Sequence, residues 1–360
     1  MHRIYRNVND AFLDLVEGIQ REELPCVKTT SRAGNVIQIT EPMTVTYTHP
    51  LERVLFNAAR DANPFFHLFE SLWMLAGRND VEPLAYYNSK IGEVASDDGE
   101  TFNGSYGYRW RHSWGVDDGG ELIEQDQFHI IIDQLKRKPD SRRVVLSMWN
   151  VQDDLLKIDT TKDVCCNTHA YFLINAGRLD MTVCNRSNDM IWGMLGANVV
   201  HFSFLQEYIA CCVGVPVGVY NQFTNNLHVY ENNWNPVEWL QCMEFCGYPT
   251  GGSMPLVQDP QQFDRECGQF IEDPDAYVTE PFLKLVAAPM CLAFRHHKER
   301  DYLRSMEAMR GVVAQDWRTV GCDWLAKREQ MYREKQGANY SDNPTMFREL
   351  YQQATRPNQA

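Results

Sequence analysis

Cys166 is the residue in this chain best suited to covalent chemistry, because a thiolate can attack an electron-poor carbon and later leave. It lies in the run KDVCCNTHAYFLI, with Cys165 before it and Asn167, Thr168 and His169 after it. The next stretch, CNRSNDMIWGMLGANVVHFSFL, sets Arg186 beside Ser187, and NNLHVY follows with His228 and Tyr230. Arg32, Arg142, Arg143 and Arg186 with Ser187 would make a phosphate cradle, since guanidinium forks pair with oxyanions at two points. The same cations would lower the pKa of a thiol close to them. Asn198 offers a donor and an acceptor, which suits an amide-like face such as uracil; an ionised aspartate would better fit a ring carrying an exocyclic amine. His228 and Tyr230, two apart on strand-like sequence, share a face and are candidates for sugar hydroxyls. Each residue alone has a plainer reading, as a small buried thiol, a surface arginine or a polar pair at a core edge. Together they point to chemistry on a small anionic substrate.

The totals narrow the classes. A chain of 360 residues with a 44% hydrophobic fraction, 17 Phe, 16 Tyr and 9 Trp can bury a substantial core, as one large domain or two. A formal charge of −14 argues against a surface committed to nucleic acid, although a few converging arginines can still bind one nucleotide. No run reaches the roughly 18 apolar residues of a membrane span, and MHRIYRNVND lacks the apolar core of a secretion signal. The expected location is the cytoplasm, or the host cytoplasm for a viral chain, with no membrane and no constitutive nucleic-acid partner. Among the eleven cysteines, Cys165–Cys166 and Cys211–Cys212 are adjacent pairs, and Cys242 and Cys246 lack a second pair. They read as free thiols in a reducing compartment, and no metal is expected. A zinc deaminase is disfavoured by the lack of HxE and PCxxC spacing.

Elements that would position these groups follow from periodicity. Residues 51–77, LERVLFNAARDANPFFHLFESLWMLAG, predict two helices or one kinked at Pro64. QFHIIIDQLKR (127–137) predicts a short helix stopped by KPDS, and SRRVVLSMW a buried strand with Arg142 and Arg143 at its mouth. THAYFLINAGRLDMTVCNRS predicts a hairpin turning near Asn175-Ala176-Gly177. Residues 199–214 predict a core helix, and VGVYNQFTNNLHVY returns to strand character. After about residue 250 the pattern weakens into loops, then a helix over 299–334 and a short docked helix with a frayed end.

These landmarks, SRAGN at Arg32, ESLWMLAG at Glu70, NGSYGYRWR at Tyr106, PDSRRVVLSMWN, and Cys166 through Tyr230, resemble the thymidylate synthase family, which includes the deoxypyrimidylate hydroxymethylases. The resemblance covers roughly residues 25–235, and the 20 residues from Cys166 to Arg186 match the family's spacing between nucleophile and phosphate arginine. It implies an α/β (α+β) fold, a large mixed sheet packed with helices, and a homodimer across the sheet. A catalytic domain over 1–290 would carry a helical C-terminal extension, 291–360, packed on it. Arg32, Arg186 and Ser187 would bind phosphate from one subunit, with Arg142 and Arg143 lent by the partner. Asp189 would contact the folate pterin, Asn198, His228 and Tyr230 the base and ribose. Tyr106 would lie near the reacting carbon, and Glu70 would organise water and proton transfer.

The implied reaction adds the Cys166 thiolate to C6 of a deoxypyrimidine monophosphate and transfers a one-carbon unit from the cosubstrate 5,10-methylenetetrahydrofolate to C5. A tryptophan shields the resulting exocyclic methylene in thymidylate synthase. Counting without a gap from Glu70 to Tyr106, that position is Gly92, and a second nearby tryptophan becomes Ala95. Water should then enter, giving a 5-hydroxymethyl product in place of a methyl group, of use in making modified DNA precursors. Asn198 favours dUMP, although the turn before it is one residue longer than usual and leaves dCMP open. Asn167 departs from the family's histidine at that place. Methylation to dTMP is the enzymatic alternative; a nucleotide- or RNA-binding degenerate scaffold is the non-enzymatic one, against which Cys166, Asp189, Asn198 and the arginines count.

Overall fold

Buried and half-exposed residues alternate strictly along Val217–Thr224 and, from Leu179 onward, along Arg178–Asn185, so each strand gives one face to the core. The computed structural model describes residues 1–116, 119–242, 247–249, 253–337 and 344–355. Its strands are β1 (His2–Tyr5), β2 (Cys26–Ser31), β3 (Gly34–Ile39), β4 (Met43–Tyr47), β5 (Ser113–Val116), β6 (Leu122–Gln125), β7 (Val145–Ser147), β8 (Asn167–Asn175), β9 (Arg178–Asn185), β10 (Asn188–Asp189), β11 (Val217–Thr224) and β12 (Leu227–Tyr230). A mixed six-stranded sheet has the order β1-β4-β11-β9-β8-β7, and a four-stranded sheet the order β10-β12-β3-β2; β5 and β6 pair separately.

The two larger sheets are joined where it matters. β9 runs parallel to β11 and β10 parallel to β12, so both chains leave one sheet and enter the other side by side. Arg186 and Ser187 lie on the first crossing, Asn225 and Asn226 on the second. Backbone bonds of 2.9 Å from Asn225 N–H to Asn185 and from Asn188 N–H to Asn226 hold the crossings together. The β8–β9 hairpin turns at Ala176 and Gly177, both at positive φ (48° and 75°), as the two-residue hairpin geometry requires.

The first helices are α1 (Val8–Gln20), α2 (Pro64–Leu75), α3 (Glu82–Tyr87), α4 (Ile91–Ala95), α5 (Tyr106–Arg111), α6 (Gln127–Arg137) and α7 (Asn198–Val213). α7 is buried on every side except at Cys211 and Val213, because the sheet covers one flank and α2, α6 and α9 (Pro260–Glu272) the others. α8 (Pro236–Gln241), α10 (Ala288–Lys298), α11 (Tyr302–Met309), α12 (Gln315–Gln336) and α13 (Pro344–Thr355) complete the order, with α10 and α12 packing on α2. Arg53 and Glu207, both buried, pair across this interior, and Glu207 also accepts the Leu256 N–H at 2.8 Å. Removing one partner of such a pair typically costs about 3–5 kcal/mol, far above the roughly 0–1 kcal/mol of an exposed pair.

Four expectations need correction. Pro64 does not kink a longer helix: residues 51–63 are non-helical and Pro64 opens α2, where its missing N–H is harmless. The Asn63 side chain accepts the Phe65 and Phe66 N–H groups at 3.1 and 3.2 Å as its cap. SRRVVLSMW yields only three strand residues, at the sheet edge, with Val145 exposed. The helix over 299–334 is two, α11 and α12, because Met309, Val312 and Ala314 are all buried, a spacing no single helical stripe supplies. The weak pattern after residue 250 conceals α9 and α10; Asp259 caps α9, accepting the Gln262 N–H at 2.9 Å, with Pro260 at its start. The expected frayed end, 356–360, and Cys246 lie outside the described residues.

His297 on α10 packs against Phe294, Tyr302 and Trp324, joining the C-terminal helices to one another. Burial, followed by Arg300, Arg328 and Lys298, pushes its pKa down to about 4. The unfolded chain therefore takes up this proton first as pH falls below about 6.5, and stability is lost from there down to the folded value. A His297→Gln variant should show a smaller drop in urea midpoint between pH 7 and pH 5 than the parent; an equal drop would remove this histidine from the acid response.

Candidate active site

Cys166 immediately precedes β8, whose first residue Asn167 pairs with Asn185 at the end of β9. This hairpin pairing brings Arg186 to the thiol: its N–H bonds to the Cys166 carbonyl at 2.9 Å. The guanidinium is held by the carbonyls of Cys165 and Val164, both at 2.8 Å, and leaves Nη2 3.7 Å from Cys166 Sγ. Burial pushes the Cys166 thiol up in pKa and Arg186 opposes it most; Asp163 raises it and Arg32 lowers it. Cys165 is the less suitable neighbour. It is buried, its Sγ lies 3.4 Å from the Gly104 carbonyl and 3.5 Å from that of Met148, and burial raises its pKa well above the ordinary thiol range.

An ion pair behind Cys166 fixes this segment. Asp154 is fully buried against Arg109, and its other bonds are to the N–H groups of Cys165 (3.1 Å) and Asn150 (2.8 Å). Arg109 also donates to the carbonyls of Met148 (2.7 Å) and Asn103 (2.8 Å). Every charge-bearing oxygen and nitrogen that matters here has a partner, the condition under which burying two ions is tolerable. Sequence reading missed both residues, since neither spacing nor periodicity marks an internal pair.

Asn198 sits at the start of α7 in a chain of amides. Asn167 Nδ2 donates to its Oδ1 at 3.3 Å, and its own Nδ2 donates to Asn188 Oδ1 at 3.0 Å; Asn188 Nδ2 reaches Thr224 Oγ1 at 3.4 Å. The turn before Asn198 is a wide π-helical one, Met190–Ala197, with a non-helical kink at Gly196. Asn167 and Asn188 were not singled out for binding from sequence; their only signal was the departure from the family pattern at 167.

The remaining predicted ligands fall into two groups. Asp189 pairs with His228 in the parallel register of β10 and β12, and Tyr230 lies next to His228, ring centroids 5.3 Å apart. Burial lowers the His228 pKa and Asp189 partly restores it; His228 Nδ1 is 3.0 Å from Asn226 Oδ1. Tyr230 is close enough to Asp189, Cys166 and Arg32 to feel their charges. Arg32, on the β2–β3 turn, donates to the Lys162 carbonyl at 3.2 Å, while Ser187 is half-buried beside Arg186. Arg142 and Arg143 do not join them: both are exposed before the edge strand β7, and neither forms an ion pair among the described residues.

Glu70 and Tyr106 line a cavity of about 110 Å³ with Asp163, Ile91, Ala95 and Trp73. α5 can bring Tyr106 this close to α2 because Gly107 touches its backbone; a Cβ there would lie 2.2 Å from the Met74 carbonyl oxygen. The Tyr106 hydroxyl receives the Asn167 N–H at 3.4 Å. Glu70 Oε2 is 2.9 Å from His201 Nε2 on α7, an ion-pair distance at an angle too poor for a directed hydrogen bond. His201, hidden within a core-helix pattern, was also missed. Gly92 does not face this cavity: its Cβ direction meets Val81 at 2.8 Å, so Ile91 and Ala95 are the positions whose size governs the space. Trp110 is buried elsewhere against Phe128 and Phe202, and Trp192 is 53% exposed beneath Arg60. Trp73 is buried in the wall with its indole N–H on Asp80 at 3.0 Å.

The residues suit a pterin as well as a nucleotide. One Asp189 oxygen caps the turn that follows by accepting the Ile191 and Trp192 N–H groups at 2.7 and 2.8 Å, and the other is left for an amino group. Among the described residues no cluster of three His, Cys, Asp or Glu could hold a metal, and no helix is long and apolar enough to cross a membrane.

The thymidylate synthase family model matches residues 11–245, and the chain belongs to that family. It is 41% identical to the deoxyuridylate hydroxymethyltransferase of Pseudomonas phage M6, over 94% of this chain and 97% of the relative. It is also 41% identical to the protein of that name from Bacillus phage SP01, over 56% of this chain and 52% of the relative. Identity to the thymidylate synthase of Symbiobacterium thermophilum is 30%, over 56% and 72% of the two chains.

Two measurements test this geometry. Arg186→Gln should raise the Cys166 pKa and slow its alkylation by iodoacetamide at pH 8; an unchanged rate would separate the guanidinium from the thiol. Asp154→Ala leaves Arg109 buried without its counter-ion and should lower unfolding free energy by about 3–5 kcal/mol in urea titrations.

Proposed function

We propose that the protein transfers a one-carbon unit from 5,10-methylenetetrahydrofolate to C5 of dUMP and completes the reaction with water, forming 5-hydroxymethyl-dUMP. The observation carrying this reading is the cavity beside Glu70 and Tyr106, to which α4 contributes Ile91 and Ala95 and whose one indole among the described lining residues, Trp73, is fixed by Asp80. With no indole at either of these two α4 positions, the cavity of about 110 Å³ leaves room for water next to the reacting carbon.

Cys166 would add to C6, and Arg186 at 3.7 Å favours its thiolate. Charge gathering at O4 would be met by Asn198. Its two amide bonds leave one N–H and one lone pair for a ring edge, which match the O4 acceptor and N3–H donor of uracil. The folate supplies the one-carbon unit when bound, with Asp189 and the exposed Trp192 as its candidate contacts. Loss of the C5 proton together with departure of tetrahydrofolate, as the bond from the transferred carbon to the folate nitrogen breaks, would leave an exocyclic methylene on the pyrimidine, and Glu70, held at His201, would order the water that approaches it. Arg32, Arg186 and Ser187 are assigned to phosphate, His228 and Tyr230 to the ribose.

A homodimer across the six-stranded sheet belongs to this reading. The outward face of β7 and β8 carries Val145, Tyr171 and Leu173 at 42%, 44% and 44% exposure, an apolar strip flanked by the exposed Arg142 and Arg143. Those arginines would complete the partner's phosphate site.

Incubation with dUMP and methylenetetrahydrofolate should yield hydroxymethyl nucleotide and tetrahydrofolate by mass spectrometry; dTMP with dihydrofolate would reject the assignment, and faster turnover of dCMP would reject the base. Cys166→Ser should be inactive. Mixing it with an inactive Arg142→Ala/Arg143→Ala variant under subunit exchange should recover about a quarter of parent activity, because half the dimers are mixed and each has one whole site. No recovery would argue against shared sites.

A further inference from the structure

We propose that Asp163 is the base that takes the proton from the attacking water, a role that rests on the hydroxymethylation reading above. Asp163 and Glu70 are the two carboxylates lining the cavity that also holds Tyr106, Ile91 and Ala95. They are not equivalent. Glu70 lies 2.9 Å from His201. Asp163 uses one oxygen, Oδ2, to accept the Gly104 N–H at 2.6 Å, and Oδ1 accepts from no group among the described residues.

The surroundings are shaped around this carboxylate. A Cβ at Gly104 would stand 2.8 Å from Oδ1 and 3.1 Å from Oδ2, so any larger residue would displace the group from its niche. The main chain of Asp163 is pinned on both sides: its N–H donates to Thr161 Oγ1 at 3.3 Å and its carbonyl accepts from Asn103 Nδ2 at 2.9 Å. Asp97 receives the Thr161 hydroxyl and the Lys162 N–H, the latter at 2.9 Å, and the Lys162 ammonium reaches the Ser96 carbonyl at 3.0 Å. This ties the Asp163 loop to the end of α4, the element that supplies Ile91 and Ala95. Asp163 stands three residues before Cys166 in the chain; burial raises its pKa, and its charge raises those of Cys166 and Tyr106.

The step balances without a redox partner. The water oxygen bonds to the exocyclic methylene carbon as one O–H bond breaks and its proton passes to Asp163. The electron pair of the methylene double bond moves through C5 to O4 as an enolate. Collapse of the enolate re-forms the C5–C6 double bond and breaks the C6–S bond, and the Cys166 thiolate leaves with that pair. Asp163 then returns its proton to the thiolate or to solvent.

The test uses Asp163→Asn in the full-length protein with methylenetetrahydrofolate and dUMP tritiated at C5. Measured over a single turnover with enzyme in excess, tritium release reports C5 proton loss, which precedes water addition, and its rate should stay within about threefold of the parent. Hydroxymethyl product should fall on the order of 100-fold, as for removal of a general base. Added 2-mercaptoethanol should divert the trapped methylene to a thioether. Product formed at the parent rate overturns the proposal, as does parallel loss of tritium release and product in a variant that matches the parent by circular dichroism and gel filtration. Asp163→Ser repeats the measurement should the asparagine variant misfold. Without folate, Cys166 alkylation at pH 8 should be faster in Asp163→Asn, and an unchanged rate would contradict the placement. A parent enzyme making dTMP would defeat the hydroxymethylation reading itself, an outcome read from the unmutated protein.

Discussion

The buried pair of Arg109 with Asp154 sets the position of the groups that would do chemistry. Bringing two such ions out of water costs several kcal/mol each, and their attraction offsets this only when the remaining donors and acceptors are satisfied. Here they are, by the N–H groups of Asn150 and Cys165 and by the carbonyls of Met148 and Asn103. The same bonds that make the pair tolerable therefore fix the segment before Cys166 and the Asn103–Gly104 turn. From that turn follow both the niche of Asp163 and the start of α5, which carries Tyr106.

A second constraint comes from the paired crossings between sheets. Because β9–β10 and β11–β12 change sheets together, Arg186 and Ser187 emerge beside Asn225 and Asn226, with His228 and Tyr230 a few residues on. The strand ends of one sheet supply the Cys166 thiol and the Arg186 guanidinium, and the other supplies Asp189, His228 and Tyr230. α2 and α7 close the interior from beneath, contributing Glu70, Asn198 and His201. Among the C-terminal helices, α10 and α12 pack against α2, the helix that bears Glu70.

The proposed outcome of the reaction turns on what can reach one methylene carbon. A sealed pocket favours hydride transfer, and an open one with a carboxylate in reach favours water. Ile91 and Ala95 leave space, and Asp163 adds a second acceptor oxygen where the family resemblance drew attention only to Glu70. The amides of Asn167 and Asn188 bear on the other choice, that of base, because they orient Asn198, the side chain proposed to meet the ring edge.

Much of this could be read from residues alone. The core helix α7 and the β8–β9 hairpin were foreseen because hydrophobic periodicity and a turn at Ala176-Gly177 are local signals, and the Cys166-to-Arg186 spacing pointed to the family because both lie on one hairpin. Local signals also misled where two structures share a pattern: Pro64 reads equally as a kink or a start, and Asp259-Pro260 equally as a turn or a cap. Partners separate in sequence stayed hidden. Asp154 with Arg109, His201 with Glu70, Asn188 with Asn198 and Asp163 with Gly104 become neighbours only when the strands cross and the helices pack, and the facing of Gly92 toward Val81 depends on the same packing. Chemical type and order along the chain are properties of the sequence; distance, burial and the direction of a side chain arise from folding, and those decide which of several carboxylates or amides meets the substrate.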